Sequence, residues 1–325
     1  RAQDTDTAFR TGFERLDFIP GEDFNLFYGI ATDTINVNML SFRESANEDG
    51  YFMLLLQPPL SLPEDQIIPK DVVIVLDQSG SMNGPKWDQA RAATTYILEN
   101  LNPRDRFNVV VFSTGARVYG DSMQPVEEAP AAIDWVNSMF AEGGTDINLA
   151  LTTALDMADG DRQTTIMFMT DGLATEGVVE TPSILDNVAA AANDRTRIFT
   201  FGVGDDVDTF LLDRLFQDFR GAGSYVRPSE RIDEEVTSLY TKISAPVLTN
   251  TQLTIDGARV ELLYPATMPD LFAGEQLTVV GRYRDGAENL TIRVDGEVNN
   301  TATSFVYDEL SLRDNAGGQP FVARL

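Results

Sequence analysis

The chain has 325 residues, 43% of them apolar, with a formal net charge of −27 and neither cysteine nor histidine. Its length suits two domains, and its charge excludes attraction to nucleic-acid phosphates or to an anionic membrane surface. The two zero counts exclude a disulfide framework, a thiolate or imidazole zinc site, and Cys-His or Ser-His-Asp catalysis. In chain order, Phe24 to Ile30, Thr34 to Leu40 and Tyr51 to Leu56 read as three strands, too few for a stable domain alone. From Asp71 to Ser244, β-branched runs alternate with helical patterns, which predicts a parallel sheet covered by helices on both faces. Strands are expected at Val72 to Leu76, Arg106 to Phe112, Thr164 to Thr170 and Arg197 to Val203, with an edge strand at Ala116 to Tyr119 and a last one at Ser224 to Arg227. Lys86 to Leu101 and Asp146 to Met157 carry apolar residues at helical spacing, and further helices are expected at Ile133 to Phe140, Ser183 to Asn193, Thr209 to Phe219 and Arg231 to Ile243.

After Pro246 the pattern changes to short alternating runs, Val260 to Tyr264, Leu277 to Tyr283 and Leu290 to Val294, punctuated by Asp256-Gly257, Asp285-Gly286 and Asp295-Gly296. Asp-Gly between alternating runs predicts two-residue hairpins in series. The fold class is therefore α/β: a Rossmann-like, doubly wound, mostly parallel sheet at 67–244, inserted in or flanked by an antiparallel β-sandwich. Residues 1–66 and 245–325 are expected to supply that sandwich jointly, since domains with close termini tolerate insertion. No apolar run approaches the ~20 residues of a membrane-spanning helix, the longest being Phe52 to Leu56, so no membrane insertion is expected within this segment. The chain opens on Arg1, which predicts a segment processed or excised from a longer protein. Its only lysines are Lys70, Lys86 and Lys242; with the acidity, that fits an exported or saline setting, and the expected location is extracellular or cell surface.

The chemistry gathers in three loops. Directly after the first central strand, Asp77-Gln78-Ser79-Gly80-Ser81 presents a carboxylate and two hydroxyls at alternate positions; Gly143-Gly144-Thr145 precedes a helix; and Thr170-Asp171-Gly172 closes a later strand. In open α/β sheets ligands bind beyond the carboxyl ends of the strands, where all three loops are expected. Oxygen donors alone suit a hard cation, Mg2+ or alternatively Mn2+ or Ca2+. Such a site leaves a coordination position that a partner's Asp or Glu carboxylate fills. Taken singly, Asp77-x-Ser79-x-Ser81 also fits a helix N-cap and Asp171-Gly172 an ordinary turn. Asp205, Asp206, Asp208, Glu234 and Glu235 read as solvated faces, and Met82 and Trp87 as core residues that lie near enough to meet a ligand.

Together, Asp-x-Ser-x-Ser, the Gly-Gly-Thr loop and Thr-Asp-Gly resemble the metal-ion-dependent adhesion site of von Willebrand factor type A domains. More narrowly, Pro69-Lys70-Asp71-Val72-Val73, Asp105-Arg106-Phe107-Asn108-Val109-Val110, Phe201-Gly202-Val203-Gly204 and Leu271-Phe272-Ala273-Gly274-Glu275 resemble inter-alpha-trypsin inhibitor heavy chains and their bacterial relatives. The resemblance implies that Asp77, Ser79 and Ser81 bind the cation, with Thr145 and Asp171 direct or water-mediated. It also implies an N-terminal β-domain, entered here near Phe18-Ile19-Pro20-Gly21-Glu22-Asp23. In relatives that switch form, these loops and the last helix, here Arg231 to Ile243, shift together.

The function this predicts is cation-dependent adhesion or protein binding, with no enzyme activity; a structural or assembly module of a secreted or surface complex stays open beside it. Phosphatases of the aspartate-nucleophile kind also place Asp after the first strand, and Gly204-Asp205-Asp206-Val207-Asp208 invites that comparison. They need a general acid two residues on, where this chain has Ser79, a poor proton donor. Nucleotide binding is disfavoured because Gly202-Val203-Gly204 lacks a third glycine and no Gly-Lys-Ser/Thr occurs.

Overall fold

The computed structural model describes residues 2–5, 8–11, 34–63, 67–158, 160–227, 230–298 and 301–324. The chain divides after residue 31 into two units. In the first, β1 (Ala2–Thr5) and β2 (Ala8–Thr11) form an antiparallel hairpin. The strand predicted at Phe24 to Ile30 and the motif at Phe18 to Asp23 lie outside the described residues.

The second unit, Thr32–Leu325, opens with the antiparallel pair β3 (Asn36–Arg43) and β4 (Gly50–Gln57). The chain then enters β5 (Lys70–Asp77) and continues through α1 (Pro85–Glu99), β6 (Arg106–Phe112), β7 (Ala116–Val118), β8 (Gln124–Pro125), α2 (Ala129–Asn137), α3 (Ile147–Leu155), β9 (Gln163–Thr170), α4 (Thr181–Ala191), β10 (Thr196–Val203), α5 (Thr209–Asp218), β11 (Gly223–Val226) and α6 (Ile232–Ile243). Its sheet runs β11-β10-β9-β5-β6-β7, with β8 also on β6; only β7 and β8 are antiparallel to their neighbour. Every residue of β5, β9 and β10 is buried, as strands covered on both faces must be. The period-two alternation of β5 sorts its side chains between layers: Val72, Ile74 and Leu76 pack with α1, α2 and α6, whereas Val73 and Val75 pack with α3, α4 and α5.

The helices begin where local chemistry lets them. Gly84, at φ +87°, precedes Pro85 at the start of α1, and the carboxylates of Asp146 and Asp208 accept from Leu149 and Leu211 N–H at 2.9 Å to cap α3 and α5. Two predicted starts are corrected by proline: α2 covers Ala129–Asn137 rather than Ile133 to Phe140, and α4 opens at Thr181 rather than Ser183, each with Pro in its first turn. At the end of α5, Gly221 N–H bonds Phe216 C=O at 2.8 Å, and a Cβ at Gly221 would lie 1.8 Å from the Ile198 carbonyl oxygen. Because that neighbour is backbone of β10, Gly221→Ala is expected to cost about 3 kcal/mol in urea unfolding. A loss below about 1 kcal/mol would mean the α5–β10 junction is loose.

After α6 come β12 (Pro246–Asp256), β13 (Val260–Tyr264), β14 (Leu271–Phe272), β15 (Leu277–Tyr283), β16 (Ala287–Val298), β17 (Thr301–Leu312) and β18 (Gly317–Gly318). They build two antiparallel sheets, β14-β12-β16-β17 and β13-β15-β4-β3-β18. Strands from before and after the α/β region therefore share one sheet, with Leu54 opposite Val279 and Phe52 opposite Gly281. Phe52, Leu54 and Leu56 of that sheet and Leu248, Ile292 and Val294 of the other fill a single core, the arrangement of a sandwich.

The Asp-Gly pairs do not make the predicted tight hairpins. Asp256-Gly257 joins β12 to β13 and Asp285-Gly286 joins β15 to β16, each crossing from one sheet to the other. Asp295-Gly296 lies inside β16, opposite Ser304 and Thr303. Glycine is needed there for close approach: a Cβ on Gly296 would stand 2.7 Å from the Thr249 carbonyl oxygen and from Leu248 Cγ.

Candidate metal centre

β5 lies between β6 and β9, and the chain leaves it first toward β6 and only later returns to the other side as β9. The reversal leaves a crevice beyond the carboxyl ends of β5 and β9. Asp77 ends β5, and the pairing of Leu76 with Met169 brings Thr170 and Asp171 beside it. Asp77 is fully buried; Ser79, Thr145 and Asp171 are nearly so.

The first loop folds around its own carboxylate. Asp77 Oδ1 accepts from Ser79 N–H at 2.8 Å, and Oδ2 accepts from the Thr170 hydroxyl at 2.6 Å. Ser79 Oγ and Ser81 Oγ lie 3.1 Å apart, and Ser81 Oγ donates to Asp171 Oδ1 at 2.7 Å. Lys86 Nζ sits 2.6 Å from Asp171 Oδ2. The N-cap reading of the serines fails, since Ser79 precedes only a short 3-10 turn, Gly80–Met82, without a side-chain capping bond, and α1 starts after Gly84.

Thr145 arrives through backbone. Glu142 N–H donates to Gln78 C=O at 2.6 Å, Gly80 N–H to Gly143 C=O at 3.1 Å, and Asp146 N–H to Ser113 C=O at 2.8 Å, so its loop is stitched to those after β5 and β6. Thr145 N–H also donates to Thr175 Oγ1 at 3.0 Å, tying it to the loop after β9. Asp77, Ser79, Ser81 and Asp171 thus form one hydrogen-bonded network; among the described residues no hydrogen bond links the Thr145 hydroxyl to the other four.

The donor set fits a hard divalent cation, being two carboxylates and three hydroxyls with no softer ligand. Asp77 shows what the arrangement lacks without one. Burial pushes its carboxyl up to about 6, an effect that the Thr170 and Ser79 hydrogen bonds only partly offset and to which the nearby Asp171 charge adds. Asp77 has no ion pair among the described residues, so a positive charge beside it would relieve a standing desolvation cost.

Two residues the sequence reading passed over belong here. Thr170 was legible only through the β5–β9 register, and Lys86 only once the start of α1 was fixed. Met82 and Trp87 are core residues, with Trp87 Nε1 donating to Met139 C=O at 3.0 Å. Asp208 caps α5 and accepts from Thr181 Oγ1 at 2.6 Å.

Residues 71–230, from β5 to the approach to α6, match the family model of the von Willebrand factor type A domain. This region is a von Willebrand factor type A domain. Similarity extends beyond it. The chain is 33% identical over 260 residues to human inter-alpha-trypsin inhibitor heavy chain H6, covering 76% of this chain and 20% of that one. It is 32% identical over 263 residues to human heavy chain H4, covering 77% and 28%. It therefore spans only a fifth to under a third of these relatives. Among solved structures, a von Willebrand factor type A protein from Catenulispora acidiphila superposes with a TM-score of 0.67 at 18% identity, over 88% of this chain and 75% of that one, a likeness of fold that takes in the sandwich as well as the type A domain.

Proposed function

We propose that the chain is a divalent-cation-dependent protein-binding or adhesion module, working outside the cell or at its surface. Asp77, Ser79, Ser81, Thr145 and Asp171 hold Mg2+, with Mn2+ or Ca2+ as substitutes, and a partner's Asp or Glu carboxylate takes the remaining coordination position. The observation that carries this reading is the convergence of a fully buried, ion-pair-free Asp77 with Asp171 and the two serine hydroxyls at the sheet's switch point. The bound cation would supply positive charge and one exchangeable position. The protein's own groups fix the ligand oxygens: Thr170 and Ser79 N–H hold Asp77, and Ser81 holds Asp171. Binding rather than turnover is favoured because Ser79 occupies the place where a phosphatase of this design needs an acid.

The test is calorimetric titration of Mg2+ and Mn2+ into chelator-stripped protein and into Asp77→Ala. One site per chain is expected in the first and none in the second, with both still folded by circular dichroism. Absence of any ion at millimolar Mg2+, Mn2+ or Ca2+ would remove this function.

A further inference from the structure

Lys86 stands out because lysine is so rare here. Lys70 is buried in a pair with Asp105 at the opposite end of β5, and Lys242 lies in the last turn of α6. Lys86 alone is aimed at the metal centre: its side chain is 40% exposed, yet its ammonium touches the fully buried Asp171 carboxylate. The fold holds it there. Gly84 and Pro85 set the start of α1, Trp87 is anchored to Met139, and the Gly204 backbone passes close enough that a Cβ there would lie 3.8 Å from Nζ. The other charged groups on these loops are carboxylates, among them Glu142, Asp146, Glu176, Asp205, Asp206 and Asp208, and Arg117 of β7 lies 3.7 Å from Glu142.

We infer that Lys86 makes the loaded centre select an anionic ligand, at the expense of cation affinity. The inference rests on the metal site proposed above. Two carboxylates and a divalent ion would sum to zero, and a neutral centre has no net attraction for a carboxylate. Adding the lysine leaves one positive charge, which a single partner carboxylate cancels. The same charge repels an incoming divalent cation and ties up one oxygen of Asp171. Lys86 thus acts oppositely on two equilibria, whereas a residue that merely held Asp171 in position would move both in the same direction.

The experiment uses Mn2+ alone as the metal probe and acetate as the carboxylate probe, with wild type, Lys86→Gln and Lys86→Arg. Electron paramagnetic resonance of free Mn2+ gives cation affinity; acetate binding is read from the fall in water-proton relaxation as acetate displaces metal-bound water. Lys86→Gln is expected to bind Mn2+ about tenfold more tightly and acetate about tenfold more weakly, and Lys86→Arg to remain near wild type in both. Changes in the same direction, or none, overturn the role of Lys86 while leaving the metal site standing. Wild type that binds no Mn2+ overturns both together. Because the side chain is partly exposed, Lys86→Gln should melt within a few degrees of wild type without metal, which keeps misfolding from imitating either result.

Discussion

Asp270→Ala is expected to lower the unfolding free energy by about 3–5 kcal/mol. Asp270 lies just before β14 in the sandwich and forms a two-point pair with Arg197 of β10 in the type A domain: Nε to Oδ2 at 2.7 Å and Nη2 to Oδ1 at 3.0 Å. Both side chains are almost wholly buried. Asp270 also accepts from Gln163 Nε2 and Asn250 N–H, each at 3.0 Å. Its removal leaves the arginine charge uncompensated and three donors, Arg197 Nε, Gln163 Nε2 and Asn250 N–H, without their acceptor in a buried interface, and that uncompensated burial sets the size of the effect. Arg214–Asp218, an i,i+4 pair with both partners more than 40% exposed, should change stability by less than about 0.5 kcal/mol when broken. Urea unfolding of the two variants checks both figures; an Asp270→Ala loss under about 1 kcal/mol would show that the cluster is wet. Arg197→Met combined with Asp270→Leu is expected to recover most of the loss, because neither charge then remains to be solvated.

What could be read from the sequence follows from how local each signal is. The buried parallel strands announced themselves because β5, β9 and β10 are apolar on both faces, and the α/β class followed. Four of the five candidate ligands, Asp77, Ser79, Ser81 and Asp171, follow β5 and β9, and strand-end loops of an open sheet share one rim whatever their distance in sequence; Thr145, in the loop between α2 and α3, was legible through the motif resemblance. Asp295-Gly296 misled because a glycine demanded by close approach to Thr249 and Leu248 has the same local chemistry as one demanded by a turn. Asp256-Gly257 and Asp285-Gly286 do turn, but which sheet the next strand joins is decided by long-range pairing. Lys86 and Thr170 were missed for a related reason: each acts through a partner about ninety residues away, visible only once register and helix start are fixed. The Arg197–Asp270 clasp is likewise beyond any periodicity argument, since it joins a strand of one region to a loop of the other.

Asp77→Asn should make the cation-free protein more stable at pH 7.5, by about 3 kcal/mol, while abolishing all stabilisation by Mg2+. The folded-state carboxyl titrates at about 6 against an ordinary value of 3.8. A raised carboxyl favours the folded state fully below the lower value and loses that contribution as pH climbs through the higher one, a span worth about 3 kcal/mol. Wild type stripped of metal therefore bears the whole cost at pH 7.5 and little of it near pH 4. Asparagine bears none, and its geometry is compatible: Oδ1 still accepts from Ser79 N–H, and Nδ2 can donate to a Thr170 hydroxyl rotated to accept. The two proteins should accordingly converge in stability as pH falls from 7.5 to 4 in chelator, the difference between them isolating this group from all other carboxylates. With Mg2+ at a thousand times its dissociation constant the order reverses, since wild type gains about 4.1 kcal/mol by linkage and the variant nothing. Wild-type Mg2+ affinity should also weaken as pH drops below about 6, where the proton competes for the same buried oxygens. Denaturant titrations of both proteins at the two pH values, with chelator and with Mg2+, read every arm of this prediction. Equal stability in chelator at pH 7.5 would mean that water already solvates Asp77, and equal gains from Mg2+ would place the ion somewhere else.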